Sequence, residues 1–291
     1  MSNSKVNTII ADGINVFYRS AGLPTAPVVL LLHGFPTSSH QFRNLIPILS
    51  TKYRVIAPDL PGFGFTQVPS ERNYKYTFEN IAVSIGAFVD ALKLTKFAIY
   101  IFDYGAPVGL RLALERPDSI TAIITQNGNA YVEGLGNFWG QIREFWVNDT
   151  PEVRENLSNA LLTFGATKWQ YEFGVTDPDR LALIAPETYY LDQALMERPG
   201  NENIQLDLFK DYENNLALYS KFHSYFRARQ PPVLAVWGKN DVIFIPAGAE
   251  AFKKDIENLE VKFFETGHFA LESHLEEIST AILEFLEKNV H

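Results

Sequence analysis

Over its first half the chain alternates between short, unbroken apolar runs and stretches with helical spacing. Val28-Val29-Leu30-Leu31-Leu32 is apolar throughout, the pattern of a strand covered on both faces. Arg54-Val55-Ile56-Ala57, Phe97-Ala98-Ile99-Tyr100-Ile101-Phe102 and Thr121-Ala122-Ile123-Ile124-Thr125 predict three more strands. Between residues 78 and 92, Phe78, Ile81, Ile85, Phe88, Val89 and Leu92 recur three or four positions apart, which predicts a helix. Strand and helix in this order imply a parallel sheet joined by right-handed crossovers.

The pattern changes between residues 132 and 225. Strand runs vanish and aromatics become dense: Phe138, Trp139, Phe145, Trp146, Trp169 and Tyr171, then Phe209, Tyr212 and Tyr219. Polar joints at Thr150-Pro151, Asp177-Pro178-Asp179 and Arg198-Pro199-Gly200 divide the segment into helices. Most of these aromatics are expected in an ordinary helical core; the sharper expectation is a lid whose inner face roofs an apolar pocket. Strands resume at Pro232-Val233-Leu234-Ala235-Val236-Trp237 and Val261-Lys262-Phe263-Phe264, and Ile278, Ile282, Phe285 and Leu286 form the stripe of a last helix. The expected division is a first core part over 1–131, a helical cap over 132–225 and a second core part over 226–291.

Composition narrows the function classes. The 291 residues are 46% hydrophobic, enough to bury a large core. A net charge of −9 argues against nucleic acid and anionic membranes as partners. With no cysteine, disulfides, thiolate zinc sites and cysteine nucleophiles are excluded. Met1-Ser2-Asn3-Ser4-Lys5 lacks the apolar region of a secretory signal, and no run approaches the ~20 apolar residues of a membrane span. A cytoplasmic location is the default expectation.

Chemistry concentrates at the carboxyl ends of the predicted strands, where open α/β sheets place their ligands. Asp103 directly follows the strand 97–102, and Gly105-Ala106-Pro107 opens a helix, with proline tolerated in the first turn. A strand turning sharply into a helix is a nucleophile elbow, which usually lifts out a serine. Here it lifts out a carboxylate, which suits attack on saturated carbon. Taken alone, Asp103 could equally be a helix cap. His33-Gly34-Phe35-Pro36, Gly238-Lys239-Asn240-Asp241 and Gly267-His268-Phe269 follow three other strands. Alone, Asp241 reads as a turn residue and His268 as a hydrogen-bonded core histidine. Gly62-Phe63-Gly64 is a turn rather than a phosphate loop, because no third glycine follows at dinucleotide spacing.

This set, in the order nucleophile, acid, histidine and with Asp59-Leu60-Pro61-Gly62-Phe63-Gly64 beside it, resembles the α/β-hydrolase fold over essentially the whole chain. No Gly-x-Ser-x-Gly occurs, so the resemblance is to the epoxide hydrolase and haloalkane dehalogenase branch, and to epoxide hydrolases most closely. It implies a mostly parallel eight-stranded sheet with helices on both faces and an inserted helical cap. It also implies an Asp103–His268–Asp241 triad, an oxyanion hole from the backbone N–H groups of Phe35 and Tyr104, and no metal or organic cofactor. The implied partners are water and a small apolar substrate, an epoxide or an alkyl halide; the oligomeric state is left open.

The leaving group separates the two activities. Dehalogenases of this family carry tryptophan after the nucleophile and asparagine after His-Gly; Tyr104 and Phe35 stand at those positions and favour epoxide opening. Asn214-Asn215-Leu216-Ala217-Leu218-Tyr219 resembles the segment with the second ring-opening tyrosine, which assigns Tyr219 as an acid. The first such tyrosine would fall near Val147-Asn148-Asp149-Thr150-Pro151, which has none. Tyr131, Tyr171 or Trp146 is the expected substitute, and all three are expected to line the pocket. Trp139, Trp146 and Trp169 are the halide donors of the alternative, dehalogenase reading, and Asn127 or Asn129 the alternative orienting groups for the histidine. Phe102 departs from the usual His or Gln before the nucleophile. A ligand-binding protein of this fold without catalysis is the remaining alternative.

Overall fold

The computed structural model describes residues 4–290. Its sheet has eight strands: β1 (Lys5–Ala11), β2 (Ile14–Ala21), β3 (Val28–Leu32), β4 (Arg54–Pro58), β5 (Phe97–Phe102), β6 (Ile120–Gln126), β7 (Val233–Gly238) and β8 (Leu259–Phe264). They lie in the order β1-β2-β4-β3-β5-β6-β7-β8. Only β2 runs against the others, pairing antiparallel with both β1 and β4. The continuous apolar runs sit where both faces are covered. Every residue of β5 and β7 is buried, and β3, β4 and β6 expose only an end or one flank. The edge strand β1 instead alternates and keeps Val6 and Ile10 exposed.

Helices α1 (Leu45–Leu49), α2 (Phe78–Ala91) and α3 (Gly105–Glu115) cross between the early strands. α2 begins at Thr77, whose hydroxyl accepts from Asn80 N–H, an N-cap of the usual kind. Seven helices fall between β6 and β7: α4 (Gly140–Val147), α5 (Pro151–Leu161), α6 (Phe164–Glu172), α7 (Pro178–Leu181), α8 (Pro186–Met196), α9 (Asn201–Asp211) and α10 (Glu213–Arg229). Each polar joint of the sequence became a helix start. Thr150 caps α5, with Pro151 in its first turn, and Asp177 caps α7, with Pro178 in its first turn. The chain closes with α11 (Ala247–Ala251), α12 (Ala270–Ser273) and α13 (Leu275–Asn289). α13 buries Ile278, Ile282, Phe285 and Leu286 in the layer under the sheet.

The helices between β6 and β7 are tied down at several points. Asp211 at the end of α9 accepts the N–H of Phe78 at 2.7 Å. Arg111 of α3 donates to Asn215 of α10 at 2.6 Å. α6 is held most firmly at its carboxyl end. Asn240 donates to Gly174 O at 2.8 Å, and a Cβ on Gly267 would meet Phe173 O at 1.8 Å. Tyr171 stacks on Phe269 with centroids 3.8 Å apart. The loops after β7 and β8 therefore both abut one helix, α6.

Candidate active site

Asp103 occupies the turn between β5 and α3 with φ of +46°. The left-handed region costs a non-glycine residue on the order of 1–3 kcal/mol, and such residues persist where surrounding structure dictates them. Here the turn swings the carboxylate off the sheet edge to the start of α3, whose aligned peptide dipoles favour negative charge. The residue is 4% exposed. The helix cap is Tyr104, not Asp103, so the strain is not repaid by capping.

The loop after β3 closes over this carboxylate. Phe35 N–H donates to Asp103 Oδ1 at 2.6 Å. The approach is so close that a Cβ on Gly34 would stand 2.2 Å from Asp103 Oδ1 and 2.6 Å from Tyr104 N. His33 fixes the loop from behind: its Nε2 accepts Leu60 N–H at 2.9 Å, which leaves Nδ1 to donate to Gly34 O at 3.0 Å. Burial lowers its pKa and keeps it neutral. Asp59, at the head of the Asp-Leu-Pro-Gly motif, accepts from Ser39 N and Phe65 N and joins the two loops.

The loops after β7 and β8 bring in the other two groups. His268 Nδ1 lies 2.8 Å from Asp241 Oδ2, and its Nε2 lies 3.7 Å from Asp103 Oδ2. Asp241 also accepts from Asn127 Nδ2 at 2.7 Å and from Ile243 N at 2.7 Å. Burial works against a charged imidazole, but the Asp241 and Asp103 carboxylates more than offset it and push the His268 pKa up to about 9. Asn127, the alternative orienting group, bonds Asp241 rather than His268. It sits at φ of +48° past β6 and also accepts Gly238 N–H at 3.2 Å, so it clamps the β7 loop. Gln126 Nε2 donates to His268 O at 3.0 Å. Phe102 forms one wall of the imidazole, with ring centroids 4.8 Å apart, and touches Phe269. A residue of β5 that is apolar here gives His268 a water-free flank.

A small cavity adjoins Asp103, lined by Phe35, Tyr104, Phe138, Trp139, Ile142, Leu161, Gln170, Phe209 and Ile243. Its free volume is ≈ 20 Å³, little more than one water-sized centre. The pocket residues expected from the sequence are not among its walls. Tyr131 donates to Asp255 at 2.9 Å and stacks on His223. Trp146 turns its indole N–H to Phe209 O at 2.8 Å. Tyr171 faces the opposite layer, where its hydroxyl meets Asp192. Each aromatic went to a buried partner that its own polar atom could bond, a preference sequence spacing does not encode. Residues near 150 turn outward, with Val147 91% exposed.

Tyr219 is buried, but it also stands back from the cavity. Its hydroxyl lies 3.2 Å from Asn129 Nδ2 and beside that of Tyr212. Tyr212 is nearer Asp103: its ring packs 4.4 Å from Trp139 and 5.9 Å from Tyr104, and burial first, with Asp103 adding to it, raises its pKa. The hydroxyls of Tyr104 and Tyr212 are enclosed without a well-aligned hydrogen bond. Tyr212 was legible only as one of many aromatics in the segment, since nothing in its neighbours sets it apart.

Comparison with known proteins agrees with this architecture. A family model described as alpha/beta hydrolase fold matches residues 27–275, so the chain belongs to the α/β-hydrolase fold family. The chain is 49% identical over 283 residues to a Saccharomyces cerevisiae protein named uncharacterized hydrolase YNR064C, covering 96% of each. It is 25% identical over 284 residues to a haloalkane dehalogenase of Psychrobacter cryohalolentis, covering 95% of this chain and 88% of the other. Among solved structures, the haloalkane dehalogenase DatA from Agrobacterium tumefaciens C58 superposes with a TM-score of 0.80 at 22% identity, covering 98% and 97% of the two chains. A lipase described as putative from Acinetobacter baumannii reaches the same TM-score of 0.80 at 21% identity, covering 98% and 92%; likeness at this level reports the fold. Among the described residues no helix is long and apolar enough to cross a membrane, and no cluster of three metal-ligating side chains occurs.

Proposed function

We propose that the protein is an epoxide hydrolase that works through an alkyl ester on Asp103. The reading rests on one contrast in and behind the cavity wall: the indole N–H groups are taken up by backbone carbonyls, whereas the phenols stay protonated and are not bound to the backbone. Trp139 Nε1 donates to Ile243 O at 2.8 Å and Trp146 Nε1 to Phe209 O, so neither is free to receive a halide. Trp169 lies between Phe138 and Phe173, off the cavity wall. Tyr104 and Tyr212, by contrast, stay protonated because burial raises both pKa values; the Tyr104 hydroxyl has no aligned partner, and that of Tyr212 meets only the hydroxyl of Tyr219.

In this mechanism Asp103 Oδ2 attacks an epoxide carbon and the C–O bond breaks. Oδ1, held by Phe35 N–H, becomes the carbonyl oxygen of the ester. The departing oxygen takes the proton of Tyr212, with Tyr219 and Asn129 behind it to support the phenolate. The His268 proton then moves to that phenolate. Alkylation drives this transfer, because it removes one of the two charges that hold the proton on His268. Neutral His268 deprotonates a water that attacks Asp103 Cγ, and the developing oxyanion stays at Phe35 N–H, with Tyr104 N–H as the second donor. Collapse releases a vicinal diol and restores Asp103 and protonated His268. Residues 132–225 act as the cap that keeps other water out.

The names of the dehalogenase relatives favour a second reading, in which the same ester forms with loss of halide. Incubating the protein with styrene oxide and with a bromoalkane, and assaying diol and bromide separately, tests both. Diol formation supports the proposal; bromide without diol replaces it with dehalogenation.

A further inference from the structure

Gln170 is the polar residue in the cavity wall that nothing in the proposed chemistry uses. It is 4% exposed, and its side chain makes no hydrogen bond among the described residues. A buried amide without partners costs roughly 1–3 kcal/mol, so it is a rare feature of a finished core. The space that the Gln170 amide borders is the Asp103 cavity. Its helix is also held still. Thr167, one turn earlier, donates to Gln193 at 2.8 Å; Tyr171 stacks on Phe269; and the end of α6 is pinned to Asn240 and Gly267. The amide is therefore a preorganised contact over the nucleophile.

Resting on the epoxide reading, we propose that Gln170 is a specificity-determining residue that hydrogen-bonds a neutral polar substituent, a hydroxyl or carboxamide, on a small epoxide. The chemistry of the wall selects this class. An amide both donates and accepts, which fits a neutral hydroxyl or amide. The other walls are apolar or aromatic apart from the Asp103 carboxylate, and no cation lines the cavity to hold an anionic group. The free space beside Phe138, Trp139, Ile142 and Leu161 is small, which favours a compact substituent. A plain hydrocarbon epoxide would leave the amide unpaired in the complex, and this unpaired group is what a hydrogen-bonding site uses to reject an apolar isostere.

The test pairs glycidol with 1,2-epoxybutane, which replaces the hydroxyl by a methyl group. The wild-type protein should show kcat/KM at least ~10-fold higher for glycidol, the value of about one hydrogen bond. Gln170→Met, of similar volume, should abolish that preference by losing activity on glycidol while keeping or gaining it on epoxybutane. Its melting temperature should hold or rise, since no hydrogen bond within the protein is lost. Equal preference in wild type and Gln170→Met overturns the inference. Binding of the two diols, glycerol and 1,2-butanediol, followed by tryptophan fluorescence, separates this inference from the reaction assignment. If neither epoxide turns over but Gln170→Met erases a preference for glycerol, the contact stands and the epoxide reading falls. If Gln170→Met leaves the relative diol affinities unchanged, the contact falls whatever the reaction. Gln170→Leu repeats the comparison should the methionine variant not fold.

Discussion

His268 stands between two carboxylates at unequal distances: Nδ1 is 2.8 Å from Asp241, and Nε2 is 3.7 Å from Asp103. The shorter contact is a charge-assisted hydrogen bond that fixes the ring. The longer one is no hydrogen bond, and it leaves Asp103 Oδ2 and His268 Nε2 available for the proposed attack and water activation. The asymmetry suits the proposed order of half-reactions, in which Asp103 acts first and His268 second.

If the order holds, His268→Gln forms the ester and cannot hydrolyse it. Intact-mass measurement after adding styrene oxide should show one stable adduct, and peptide mapping should place it on Asp103. An adduct at any other residue would remove Asp103 from the nucleophile role.

Asp241→Asn keeps the size of the side chain but removes the charge that orients and stabilises the imidazolium. Hydrolysis of the ester should slow by ~10⁴, the scale of the same change in serine proteases. Asn127 reaches the same oxygen of Asp241, so Asn127→Ala should slow this step too, by less. Pre-steady-state kinetics resolve the step; near-normal ester hydrolysis in Asp241→Asn would mean another group orients His268.

The two lid phenols should differ. Tyr212→Phe removes the hydroxyl next to the nucleophile and should lower the ring-opening rate by roughly 10² or more, the usual contribution of general-acid catalysis. Tyr219→Phe removes the supporting hydroxyl and should cost less. Both should melt close to wild type. Larger loss in Tyr219→Phe would return the acid role to that residue, and Tyr104→Phe serves as the control for the remaining spare hydroxyl.

Stability should fall on the alkaline side because of His268. Its folded pKa of about 9 lies above the ordinary 6.5, so the folded protein keeps a proton that the unfolded chain releases first. The contribution is complete below pH 6.5 and is lost as pH rises to about 9. His40 works in the opposite direction. Burial, with Arg43 and Arg19 nearby, lowers its pKa to about 4, so the unfolded chain takes the proton first and stability falls below pH 6.5. Urea unfolding from pH 6.5 to 9.5 should show a decline in wild type that His268→Gln flattens; parallel curves would refute the linkage.

The fold was legible in the residues because its signals are local. Val28–Leu32 and Phe97–Phe102 are apolar throughout because both faces of those strands are covered, and that fact is written in each run. Asp103, Asp241 and His268 each follow a strand, and parallel topology alone brings such ends to one edge of a sheet. Even Thr150 and Asp177 announced their helices through side chains that reach only their own first turn. The cavity was different. Its walls come from the loop after β3, the elbow, α4, α5, α6, α9 and the loop after β7, and their meeting depends on how seven helices settle on the sheet. Tyr131, Trp146 and Tyr171 have the composition of pocket residues, yet Asp255, Phe209 O and Asp192 claimed their polar atoms. Phe102 was unexplained in the chain and became the flank of an imidazole 166 positions away only when β5 and β8 shared a sheet. Sequence fixes what a residue can bond and which strand or helix carries it; long-range packing alone decides which of its possible partners it meets.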